Sequence, residues 1–177
     1  RETLACLMVS YLGYDEFELN LFIDNDLSDQ ERNETVAIVN KARDRVVSIY
    51  EDMASTPIII VSSSGEKLAK FGVKLPVPGA VHALPWGQYV VINDVGNNID
   101  VLAPEFTHAE TAHSVGYIKW QLSLTIWFKE GVTMQVDHRE RYRYKGNSLP
   151  EMFELDSLQK FNSANITNNY IAAKVEA

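Results

Sequence analysis

Residues 101–136 read VLAPEFTHAETAHSVGYIKWQLSLTIWFKEGVTMQV, and the fold turns on two pieces of that stretch. The first, Pro104-Glu105-Phe106-Thr107-His108, sets a carboxylate and an imidazole three residues apart, so a helix puts both on one face. The second, Trp127-Phe128-Lys129-Glu130-Gly131, places another carboxylate 22 residues after His108. The turn Asp94–Asn98 leads into the first helix, with Asn98 or Asp100 as its cap. Pro104 then falls in the first turn, where a missing N–H has no helical partner to lose. Gly116 suits the C′ position that closes this helix near Val115. Tyr117–Ile126 reads as a connector and Trp127–Val136 as a second helix. Trp127 and Phe128 are expected to pack in the core against the first helix.

In the zinc pattern H-E-x-x-H, two histidines one helical turn apart reach the same ion. The Glu between them lies beside the metal-bound water and takes its proton. Glu105 and His108 occupy two of those places, and Pro104 stands where the first histidine would be. Ala103, Glu105, His108, Ala109 and Glu110, then Trp127, Phe128, Glu130 and Gly131, then Asp137-His138-Arg139, follow in order. On these residues the chain resembles the small bacterial gluzincin-like zinc metallopeptidases of the zincin fold, in which the W-F-x-E-G helix supplies the third ligand.

The resemblance implies an α+β, zincin-like single domain over residues 1–177. A small mixed sheet would pack on a long N-terminal helix and a metal-site helix, with a helical C-terminal part. It implies His108 and Glu130 as metal ligands, a third ligand lost at Pro104, and Glu105 as a vestigial general base. Asp137, His138 and Tyr142 are the candidates for steadying a ligand or an oxyanion. A salt-bridged surface segment ending the second helix explains residues 137–144 equally, with arginines near the negative helix end. No neighbour replaces the lost imidazole convincingly. His113 sits about 140° round the helix from His108. Asp100 is a capping candidate, and His138 lies eight residues beyond Glu130.

Two function classes remain open. One is a proteolytically inactive gluzincin-like protein that binds a protein or peptide partner, as an inhibitor, immunity or scaffold protein does, and needs no cofactor. The other is an active zinc-dependent endopeptidase, with His108 and Glu130 holding the ion and Glu105 as its base.

The rest of the chain agrees with one domain. Its 177 residues, 46% hydrophobic and 23% charged, suit a single core. A net charge of −8 excludes a broad nucleic-acid surface. A single Cys excludes an internal disulfide and a Cys-rich metal site. No uncharged apolar run is long enough to span a membrane. Oligomeric state has no signature here. The chain starts at Arg1, which leaves room for an upstream signal or anchor. Family resemblance points to the bacterial envelope, periplasmic or membrane-anchored, with the cytoplasm as the alternative.

Leu4–Val9 reads as a buried strand or the end of an anchor, and Phe17–Asp24 as one strand. Ser28-Asp29-Gln30-Glu31 is a capping box opening a helix to about Tyr50, with Val36, Val39, Ala42, Val46 and Ile49 on its apolar face. Thr56–Ser62, Ala80–Leu84 and Gln88–Asn93 read as strands. The resemblance would put one of the last two beside the metal helix, where an extended peptide pairs with a sheet edge. A short helical turn over Glu66–Phe71 and a loop over Leu75–Gly79 separate them. A last helical region begins at Ser148–Glu151, with Met152, Leu155 and Leu158 at three-residue spacing. Tyr170–Ala177 is helical in composition.

Overall fold

The computed structural model describes residues 2–74, 76–146, 148–151, 155–162 and 165–177. In chain order the elements are α1 (Glu2–Leu7), β1 (Tyr14–Glu18), β2 (Leu21–Asp24), α2 (Asp29–Tyr50), β3 (Ile58–Val61) and α3 (Gly65–Leu68). Then come β4 (Gly79–Leu84), β5 (Gly87–Ile92), α4 (Ile99–Val115), α5 (Tyr117–Leu122), α6 (Ile126–Met134), α7 (Leu158–Phe161) and α8 (Ile166–Glu176). The chain is mixed α+β with one five-stranded sheet, ordered β1-β2-β3-β5-β4. β2, β3 and β5 run parallel, and β1 and β4 pair antiparallel at the two edges. Among the described residues no helix is long and apolar enough to cross a membrane.

Alternation along the central strands explains the layers. Ile59, Val61, Val90 and Ile92 point to one side, where Val39, Ala42 and Val46 of α2 and Leu102, Phe106 and Ala109 of α4 complete the main core. Ile60, Tyr89 and Val91 point to the other side, against Cys6, Leu68 and Phe71. Strands buried on both faces need no polar alternation, which is why β3 and β5 are nearly continuous apolar runs. The capping box at Ser28 forms in full: its hydroxyl accepts from the Glu31 N–H, and Glu31 accepts from the Ser28 N–H.

Several expectations are corrected. Phe17–Asp24 is not one strand: the chain reverses at Asn20, whose φ of 63° is tolerated by Asn in a tight turn, and β1 and β2 form a hairpin. Leu4–Val9 begins in helix α1, not a strand; Cys6 and Val9 face the core while Leu4 and Leu7 remain exposed. Ile49 lies on the exposed side of α2. Tyr117–Ile126 is mostly the helix α5. Of the expected last helical region, Met152 and the Leu158 side chain lie outside what is described. α7 covers only Leu158–Phe161, and α8 already starts at Ile166, capped by Asn165.

α6 and α8 lie in direct contact because Gly131 has no side chain. A Cβ there would run into the Ala173 carbonyl and come within 2.6 Å of the Ala177 Cβ. Gln135 donates to the Lys174 carbonyl at 2.7 Å, and Lys174 donates to the Asp137 carbonyl at 2.8 Å. Trp127 packs half-buried on the cluster of Leu155, Phe161, Ala172 and Ala173. Trp127 thus joins the cluster of the C-terminal helices rather than the core cluster that contains α4, where it was expected.

Candidate functional site

α4 starts at Asn98, whose side chain accepts from the Val101 N–H at 3.1 Å. That cap corrects the expected place of Pro104. The residue lies in the second turn, six positions after the cap, where the residue at 104 would normally donate to the Asp100 carbonyl. The proline therefore interrupts the hydrogen-bond ladder of α4 as well as withholding an imidazole. Asp100, just inside the helix, instead binds Arg45 of α2 at 2.5 Å.

One turn further on, α4 presents Glu105 and His108 to a cleft of about 440 Å³. α6 supplies Glu130 and Met134, the following loop Asp137, Arg139, Arg141 and Tyr142, and α8 Ile166 and Tyr170. Pro78 and Gly79, where β4 begins, close the remaining side. The structure therefore brings Pro104, Glu105, His108, Glu130, Asp137 and Tyr142 to one cavity. His138 does not join them: it is exposed and lines a separate depression with Gln135 and Lys174. His113 is exposed beside another cavity, with Trp86 and Tyr117.

His108 Nε2 lies 3.7 Å from a Glu130 carboxylate oxygen. Two ligands of one tetrahedral zinc, with bonds of about 2.0–2.1 Å, stand roughly 3.3 Å apart. The pair therefore keeps close to the spacing of two donors to one ion. The His108 Nδ1 is buried without a hydrogen-bond partner among the described residues. Metal-binding histidines almost always donate from their other nitrogen, so the support that orients such a ligand is missing. Trp120 of α5 packs edge-on against the His108 ring at 5.7 Å, and Lys129 lies 4.9 Å from the centre of the Trp120 ring.

Burial pushes the Glu105 carboxyl up to about 7, with Glu130 adding to the rise and His108 opposing it. Burial works against a charge on His108, but Glu130 and then Glu105 outweigh it and raise the imidazole above its usual value. Asp137 is fully buried and holds the Arg139 guanidinium in a fork, with Nε 2.9 Å and 3.0 Å from its two oxygens. Asp137 thus fixes the loop that carries Arg141 and Tyr142.

Tyr170, Arg139 and Arg141 are cleft residues that sequence reasoning missed as such. For Tyr170 the one available signal was the run of small residues Ala172-Ala173 on α8, which match Gly131 across the helix contact. Comparison with protein-family models, with curated proteins and with solved structures finds no match for this chain.

Proposed function

We propose that the chain is a degenerate gluzincin-like protein on a zincin-like scaffold, which holds a segment of a protein or peptide partner in its cleft without cutting it. The observation that carries this reading is Pro104 on the cleft side of α4. A catalytic zinc takes three protein ligands and leaves a fourth position for water. His108 and Glu130 are two donors, and a pyrrolidine is not a third. The side chains present do not fit a resident catalytic zinc, and no hydrolytic step follows from them.

β4 supports the peptide-binding half of the proposal. Among the described residues it pairs only with β5, so its other edge carries backbone groups able to take an added strand. It starts at the cleft, whose lining includes Gly79 together with Glu105 and His108.

The competing reading, an active zinc endopeptidase, draws on Glu105. A carboxyl near 7 is matched to general-base work, and a retired peptidase has no need of one.

Metal analysis of the purified protein with a protein-cleavage assay separates the two. The binder carries far less than one zinc per chain and leaves the substrate intact. About one zinc per chain with chelator-sensitive cleavage overturns the proposal. Pro104→His is the companion variant. If α4 and α6 face each other as a metal scaffold, zinc affinity rises by more than about 100-fold, since even supporting groups are worth 10–100-fold.

A further inference from the structure

Most charges of the cleft pair off, and among its described cations one does not. Asp100 holds Arg45 at 2.5 Å, Glu130 faces His108 at 3.7 Å, and Asp137 holds Arg139. Arg141 also lines the cleft, at its exposed rim, and it has no ion pair or hydrogen bond with the described residues. Its guanidinium carbon lies 4.7 Å from the centre of the Tyr142 ring. Tyr142 is itself buried and fixed: Arg139 lies 5.0 Å from the same ring, and Tyr170 packs on it at 5.5 Å. Arg141 is therefore a cation resting on a rigid aromatic support beside the cavity, with its donors open.

We propose that Arg141 anchors an aspartate or glutamate side chain of the peptide segment that the cleft holds. This rests on the reading of the cleft as a peptide site. A guanidinium takes a carboxylate through two parallel hydrogen bonds, and one already ordered by Tyr142 loses little freedom in doing so. The exposed rim favours a side chain over a chain terminus, because a segment can continue past Arg141 in both directions. The cleft's own carboxyls oppose an acidic residue there only weakly: Asp100 and Asp137 are already neutralised by their arginines, Glu130 faces an imidazole, and burial favours the neutral form of the unpaired Glu105.

Affinity selection from a random synthetic dodecapeptide pool, prepared once with amidated and once with free-acid C-termini, tests this. The wild-type protein should retain amidated peptides enriched in Asp or Glu at one position. Arg141→Glu should lose those peptides by at least about tenfold and favour Lys or Arg at that position. Arg141→Gln should lose the acidic preference alone. Both variants should melt as the wild type does, since the side chain is exposed.

Retention of the same acidic peptides by Arg141→Glu, or a selection without acidic enrichment, overturns the inference and leaves the peptide site standing. Enrichment from the free-acid pool alone overturns it in favour of a C-terminal carboxylate. An empty selection by the wild type from both pools removes the peptide site itself, and the role of Arg141 with it.

Discussion

The two sides of α4 are built by different rules. Its sheet side, Leu102, Ala103, Phe106 and Ala109, is fully buried and continuous with the strands and α2. Its cleft side carries Asp100, Pro104, Glu105 and His108, where a helix-breaking residue, a carboxyl near 7 and an imidazole with an unpartnered nitrogen lie within nine residues. The first side stabilises the fold. The second is tolerated by it, and that separation lets a site change its chemistry while the scaffold stays.

The sharpest way to break this contrast is at Phe106. Phe106→Ala empties the space between α4 and the sheet and should cost about 3–5 kcal/mol in denaturant unfolding. A loss below about 1 kcal/mol would mean the sheet side is not the stabilising one. Pro104→Ala tests the opposite side and should act with the opposite sign. Restoring an N–H toward the Asp100 carbonyl and removing the ring should stabilise by about 2–3 kcal/mol. No gain would mean that α4 has already adapted to the proline.

The smallest effect is expected at Glu105. Its folded value near 7 lies above its ordinary 4.5, so the folded state holds a proton that the unfolded chain has released. Stability therefore falls as pH rises from about 4.5 to about 7. His108, also raised, adds stability below its ordinary 6.5 that is lost as pH rises through its folded value. Glu105→Gln should flatten the first part of this fall, by about 1–2 kcal/mol after allowing for screening in an open cleft. An unchanged slope of stability against pH between 5 and 7 would show that Glu105 is ionised throughout.

The sequence was most legible where one local rule acts alone. The capping box at Ser28 forms as read, the apolar runs of β3 and β5 form strands within a residue or two of the expected bounds, and Gly116 ends α4, as its C-cap rather than at C′. The reading failed where two rules compete. Asn98 and Asp100 were both plausible caps. With either cap, residue 104 stands where its N–H would donate to the Asp100 carbonyl, so the proline costs a helical bond in both cases; Asn98 takes the cap while Asp100 pairs with Arg45, 55 residues away in sequence. Likewise the one local turn signal in Phe17–Asp24, Asn20, is outweighed by the apolar alternation around it, and the reversal shows only in the pairing of β1 with β2.

The candidate site was half legible. Glu105, His108 and Glu130 share a motif, and the structure brings them together. Tyr170 and Arg141 enter through the packing of α8 and the Asp137–Arg139 fork, which a one-dimensional pattern does not record.

The bare backbone at Gly131 has a consequence for how the protein matures. Because α8 rides directly on α6 and contributes Ile166 and Tyr170 to the cavity, the pocket has no far side until residues 166–176 have left the ribosome and docked. The sheet and α4 can condense during synthesis, but recognition has to wait for α8. A nascent chain would therefore be folded in outline well before it could engage anything.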